Sequence, residues 1–288
     1  STPKPGAPVS LESQKQAAYK IYGQAILVMK ALLKDVGRQP VNTQDHLGLV
    51  VAQLLEAIKS NNRALLTLTS RSTASNYLYA HSVNLSILAM KVGLGLRWPD
   101  DQLRILGLSA MLHDMGMIKY LGLSAEPRAL TPEEHQEVRL HPTESQRLLA
   151  YIHDIEETTK QTISLIIGQA HERKGGAGYP KAVKFDDIHM AAQIIGICDM
   201  YEALSHHRSW REPLLASDAV KMMIKKHSQE FARPLLQVFL EQVSLFPAGS
   251  YVQLTTGEIG CVVETHSKMP TRPSVEIRVT ADRTAQEP

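Results

Sequence analysis

Cysteine is scarce in this chain: 288 residues hold two, Cys198 and Cys261, and no CxxC pair. That speaks against a disulfide framework and fits a reduced, cytosolic compartment. Charge of one sign is scarce as well. The net charge is +2, so no bulk electrostatic argument favours a nucleic-acid polymer or an anionic membrane as partner. No apolar run approaches the roughly 20 residues needed to span a bilayer. No signal peptide is visible, and there are no internal repeats or low-complexity segments. What remains is 43% hydrophobic and 21% charged, an ordinary composition long enough for a substantial core. Lys174, Lys181 and Lys184, near a glycine-rich turn, read as a solvated face. The chain opens on Ser1 and a Pro-rich polar stretch without Met, so further domains upstream are to be allowed for.

Apolar spacing organises the chain into three parts. Residues 1–71 read as a loose tail followed by a helical lead-in, with helices over about Leu11–Val36, Thr43–Lys59 and Arg63–Leu68. This lead-in is a packing or dimerising element. Residues 72–245 are helical in pattern. Helices are expected over Ser75–Leu94, Pro99–Leu112, Pro132–Arg139, Pro142–Ala150, Thr158–Ala170, Ile188–Leu204 and Ser217–Lys226, with loops at Lys119–Ala129 and Arg173–Asp186. Pro132 and Pro142 sit where a helix begins. Residues 246–288 change character. Tyr251–Leu254, Gly260–Val263 and Ser274–Val279 are strand-like, and Thr256-Gly257 suits a turn, giving a small antiparallel β element. The fold class is mainly α.

Two aspartates stand in apolar company. Asp114 ends the run Leu103–His113, and Asp199 follows Ile194-Ile195-Gly196-Ile197-Cys198. A buried, unpaired carboxylate costs several kcal/mol, so it neutralises, pairs or binds a cation. Histidines recur at comparable points of separate helical segments: His81, His113, His141 and His171. His81 shares a helix face with Tyr77, Leu85, Leu88 and Val92, which turns it inward. Taken alone it reads as a core histidine before it reads as a ligand, and the whole set admits a helical bundle with polar core contacts. Nitrogen and oxygen donors without thiolate suit iron, manganese or a hydrolytic zinc rather than a structural zinc.

His81-Ser82, His113-Asp114-Met115-Gly116, Leu130-Thr131-Pro132-Glu133-Glu134, His141-Pro142, His171-Glu172-Arg173 with Gly176-Ala177-Gly178-Tyr179-Pro180, and Asp199 followed by Glu202-Ala203-Leu204 resemble, in order and spacing, the motifs of the HD-GYP family. That family is a branch of the HD metal-dependent phosphohydrolases. The resemblance covers about residues 72–280 and implies an HD-type helical bundle that hydrolyses cyclic di-GMP to pGpG and GMP. It also implies two divalent metal ions, iron or manganese first, with zinc, nickel or magnesium as alternatives, and a bridging water as nucleophile. Carried over, His81, His113, Asp114 and Asp199 match ligands of the first metal, Asp114 bridging, and His141 and His171 match ligands of the second. His113 and Asp114 are thus the catalytic pair. Gly178 and Tyr179 match the loop that lines the nucleotide site, and Arg208 and Arg211 match basic residues that contact substrate. Partners implied are an upstream sensory or receiver domain, a diguanylate cyclase, or a second copy of the chain, in the bacterial cytoplasm.

The chain departs from this pattern at four points. Ala170 stands where the first of two adjacent histidines is usual, Met117 where a lysine follows the His-Asp-x-Gly motif, and Gly175-Gly176 where Asp-Gly is usual. Tyr77 occupies the position of a glutamate in trinuclear members, which argues against a third metal. Losing one charged phosphate contact costs about 1.5–3 kcal/mol, or roughly tenfold to a hundredfold in rate. Two further readings therefore stay open: a degenerate module that binds nucleotide or protein without turnover, and hydrolysis of another nucleotide.

Overall fold

A computed structural model of the chain describes residues 11–41, 46–60, 63–69, 77–153, 155–208, 211–243, 246, 249–264, 266, 269 and 272–280. Helix α1 (Leu11–Asp35) turns Ala18, Ala25, Met29 and Leu32 inward at three-, four- and seven-residue spacing. Helix α2 (His46–Lys59) buries Leu47, Val50, Val51, Leu54, Leu55 and Ile58, and α3 (Arg63–Leu68) adds Leu65 and Leu68. The expected start of α2 at Thr43 lies outside the described residues.

These stripes close over α4 (Tyr77–Gly95) and α5 (Asp100–Leu112), where Val83, Ile87, Met90, Leu103 and Met111 complete one apolar cluster. The lead-in therefore shares its core with the helices that follow. Fourteen of the nineteen residues of α4 are buried, so this helix runs through the interior rather than along a surface. Its far side packs into a second cluster with α9 (Glu157–Gln169), α10 (Met190–Ser205), α11 (Ala216–Met222) and α12 (Arg233–Gln242).

Between α5 and α9 the chain forms a 3₁₀ turn at Met115–Tyr120, then α6 (Leu121–Ser124), α7 (Pro132–Val138) and α8 (His141–Leu149). The start of α7 is written into its sequence. Thr131 accepts the Glu134 N–H, Glu134 reaches back to the Thr131 N–H, and Pro132 fills the first turn. Residues 119–124, expected as loop, are helical. Helix α11 ends at Met222 and continues as a π-helix over Met223–His227, so the helical segment expected to reach Lys226 does so with a change of winding. Helix α12 was not expected at all.

The last described residues form a meander of β1 (Tyr251–Gln253), β2 (Ile259–Glu264) and β3 (Ser274–Val279), each pair antiparallel, with Val252 opposite Gly260 and Gly260 opposite Ile277. The expected turn at Thr256-Gly257 is present, with the Gly257 N–H donating to Leu254 O at 3.0 Å. The mainly α fold with a small antiparallel β element is as expected. Among the described residues no helix is long and apolar enough to cross a membrane.

Phe239 ties α12 to α10, lying fully buried with its ring 5.5 Å from that of Tyr201. Phe239→Ala should lower unfolding free energy by about 3–5 kcal/mol, read from the urea midpoint.

Candidate metal centre

Five segments deliver six side chains to one buried place. His81 comes from the second turn of α4, His113 and Asp114 from the end of α5, His141 from the first residue of α8, His171 from just beyond α9, and Asp199 from the middle of α10. Their donor atoms form three overlapping groups, each within 4.8 Å: His81, His113 and Asp114; His113, His171 and Asp199; Asp114, His141 and His171. Every metal ligand expected from the sequence is brought here.

The carboxylates sit between the rings. Asp114 Oδ1 lies 3.1, 3.0 and 3.4 Å from the Nε2 atoms of His113, His141 and His171, while its Oδ2 faces His81 Nε2 at 3.4 Å. Asp199 repeats the arrangement, with Oδ1 at 3.6 Å from His81 Nε2 and Oδ2 at 3.6 Å from His171 Nδ1. Each carboxylate thus spans from the His81 side to the His171 side.

Helix ends fix the rings. The final carbonyls of a helix have no partner within it. His113 donates its Nδ1 proton to Ala110 O in the last turn of α5 (2.9 Å), and His141 donates to Val138 O at the end of α7 (2.8 Å). A carbonyl only accepts, so each Nδ1 carries the hydrogen and each Nε2 lone pair points inward. On His81 the same role falls to a carboxylate, Glu202 Oε2, 2.7 Å from Nδ1.

Electrostatics follow from this packing. Burial alone would raise the Asp114 carboxyl, but positive charge on the facing His113 and His141 rings, when they carry a second proton, outweighs it and holds the group well below the usual carboxylate range. Burial disfavours a charged His81, yet Glu202 and Asp114 on either side raise it to about 10. Burial pushes His171 down to about 4, which leaves its ring neutral. To serve as a ligand, His81 would have to give up the proton that Glu202 and Asp114 favour on its ring.

The donors fit divalent cations. His81 Nε2 and His113 Nε2 are buried with no hydrogen-bond partner, a deficit the interior tolerates only where something else satisfies the atom. Imidazole and carboxylate together, without thiolate, suit iron, manganese or hydrolytic zinc. Residues His81, His113, Asp114, His141, His171 and Asp199 would hold such ions.

Glycines make the close approaches. A Cβ on Gly116 would run into His141 O, and 2.8 Å from Ser145 N, so this residue lets the 3₁₀ turn lie against α8, where its N–H donates to Ser145 Oγ. A Cβ on Gly178 would strike the backbone of His171, Glu172 and Arg173, so the loop folds flat on its own start. Glu172 clamps that fold by accepting the N–H groups of Lys181 (2.8 Å) and Val183 (3.0 Å). The Tyr179 ring consequently lies parallel to His171, centroids 4.9 Å apart, with the Arg139 guanidinium 5.4 Å from its centre.

The two arginines part company. The half-buried Arg208 guanidinium lies 4.1 Å from the centre of the Tyr77 ring, which in turn stacks on His81. Arg211 turns back instead, and its Nη2 donates to Ala203 O (2.6 Å) and Leu204 O (3.1 Å) at the end of α10. Of the departures, Met117 packs half-buried against the first apolar cluster, and Ala170 is buried in the second. Sequence reasoning gave no role to Glu202, Glu172 or Arg139. Glu202 carried the same signal as Asp199, a carboxylate in the apolar run of α10.

A profile described as HD domain matches residues 52–234, and one described as a KOW domain associated with HD domain matches residues 251–287. This chain belongs to the HD domain family. The motifs that resemble the HD-GYP family, from His81 to Glu202, fall inside that match. The HD-domain chain is 27% identical over 272 residues to the cyclic di-GMP phosphodiesterase PA4108 of Pseudomonas aeruginosa, covering 94% of this chain and 64% of that one. It is 24% identical over 203 residues to the cyclic di-GMP phosphodiesterase PdeB of Borreliella burgdorferi, covering 70% and 52%. The 3'3'-cGAMP-specific phosphodiesterase 3 of Vibrio cholerae is 28% identical over 153 residues, 52% of this chain and 32% of that protein. The chain thus spans less than two thirds of these relatives. Among solved structures, Bd1817, an HDG"Y"P protein from Bdellovibrio bacteriovorus, superposes with TM-score 0.57 at 19% identity, covering 80% of this chain and 68% of that one, a likeness of fold.

Gly116→Ala should force the His-Asp turn off α8, costing about 1–3 kcal/mol in chemical unfolding and reducing metal content measured by elemental analysis.

Proposed function

We propose that this chain is a metal-dependent phosphodiesterase that opens cyclic di-GMP to pGpG and carries it on to GMP. The observation that supports this best is the pair of carboxylates, Asp114 and Asp199, each reaching from His81 to His171. Divalent cations in that position would neutralise the phosphodiester and lower the pKa of water. The chain's own residues then do the rest. Asp114 and Asp199 set the spacing, and the pinned Nε2 atoms of His113 and His141 present lone pairs without reorganisation. Tyr179, held flat on His171, offers a face for a base and a phenol that burial keeps protonated as a donor. Gly178 permits that placement. Arg208 supplies a planar cation beside the carboxylates, whereas Arg211 enters this reading as a brace for the Arg208 segment.

Two ions suit the site better than three. Where a third would need a carboxylate, Tyr77 presents a ring already covered by the Arg208 cation. Iron or manganese are the first choices for this donor set. An upstream sensory or receiver domain, a diguanylate cyclase partner, self-association and a bacterial cytoplasmic setting belong to the same proposal.

A second reading, a cyclic-dinucleotide-binding module without turnover, draws on Met117 and Ala170. The first brings no cation to the phosphate and the second no nitrogen to the His171 side. Protein purified without air and loaded with Mn(II) or Fe(II) should convert cyclic di-GMP to pGpG, with 3'3'-cGAMP as the competing substrate. Nucleotide bound but unchanged would favour the binding module. Asp114→Asn removes the charge that would hold the cations, so hydrolysis should fall roughly 10²- to 10⁴-fold, checked by product chromatography alongside metal content.

A further inference from the structure

The outward side of His81 is as heavily furnished as its inward side. Glu202, fully buried in α10, sets Oε2 2.7 Å from His81 Nδ1. Its other oxygen accepts the side-chain N–H of Asn84 at 3.4 Å and lies 3.5 Å from His206 Nδ1. Asn84, fully buried on α4 one turn past His81, accepts the Tyr22 hydroxyl of α1 at 2.8 Å. His206 also reaches Thr69 O, just beyond α3, at 2.7 Å. An unbroken series of polar contacts therefore runs from the N-terminal helices to the deepest ring of the metal centre.

We propose that Glu202 is the positioning residue for His81, and that Tyr22, acting through Asn84, extends this hold to α1. The proposal rests on the metal-centre reading. A carboxylate against Nδ1–H fixes the tautomer, stops ring rotation and makes Nε2 a more basic ligand. Asn84 matters because a Glu202 free to swing would lose that aim. Its amide ties Oε1 to α4, while its own oxygen is taken by a hydroxyl from another helix. The lead-in thereby becomes part of the site's support. A merely structural Glu202–His81 pair would affect stability and leave metal affinity alone.

The test titrates metal-free protein with Mn(II), reading the free ion by electron paramagnetic resonance, and follows thermal unfolding of the same samples. Glu202→Gln should raise the Mn(II) dissociation constant about tenfold to a hundredfold. Tyr22→Phe, which keeps the ring and removes only the hydroxyl, should raise it roughly two- to fivefold. Both should retain a cooperative unfolding transition. A constant within twofold of wild type in folded Glu202→Gln overturns the positioning role. An unchanged constant in Tyr22→Phe overturns the reach to α1, and decides the proposal alone if Glu202→Gln does not fold. Asp114→Asn is the control: Mn(II) binding as tight as wild type in that variant overturns the metal-centre reading, and this proposal with it.

Discussion

Charge in a dry interior has to be answered by other charge or by hydrogen bonds, and this requirement governs the molecule. Asp114 lies just past the end of α5 and Asp199 within α10, helices whose other residues build the core, and a carboxylate left alone there is costly. The chain answers with four imidazoles from four different segments. It then answers the imidazoles with helix-end carbonyls at Ala110 and Val138 and with the Glu202 carboxylate. Helix lengths matter for that reason. Helices α5 and α7 stop where their last carbonyls meet a histidine three residues on, so ending the helix and aiming the ligand are the same event.

Apolar packing holds that polar arrangement in register. Helix α4 contributes to both clusters, so the first presses α1 to α3 and α5 against one side of it while the second presses α10 and α12 against the other. His81 and Asn84 can lie in so apolar a helix because both find partners on neighbouring elements. The signature loop is organised differently. It depends on the Glu172 carboxylate and on the missing side chain of Gly178.

Much of this was legible in the sequence because short-range pattern carried it. The inward face of α4 followed from Tyr77, Leu85, Leu88 and Val92 around His81, and the start of α7 from Pro132. Helix α12 went unread although Pro234 offers the same first-turn signal as Pro132. The 3₁₀ turn at Met115–Tyr120 was not readable, since the contact of Gly116 with Ser145 joins residues 29 apart. The pairing of Glu202 with His81 is of the same kind: the two are 121 positions apart, and no local spacing encodes that contact. Arg211 had the right residue type and neighbourhood, but the free carbonyls ending α10 claimed it.

The four rings do not lie at one depth. His81 and His113 are wholly enclosed, whereas His141 and His171 keep 3% and 6% of their surface open. A chelator approaching from bulk solvent therefore meets the His141–His171 rim before it can touch the inner pair. An ion held at that rim would accordingly be more open to exchange than one held by the inner pair.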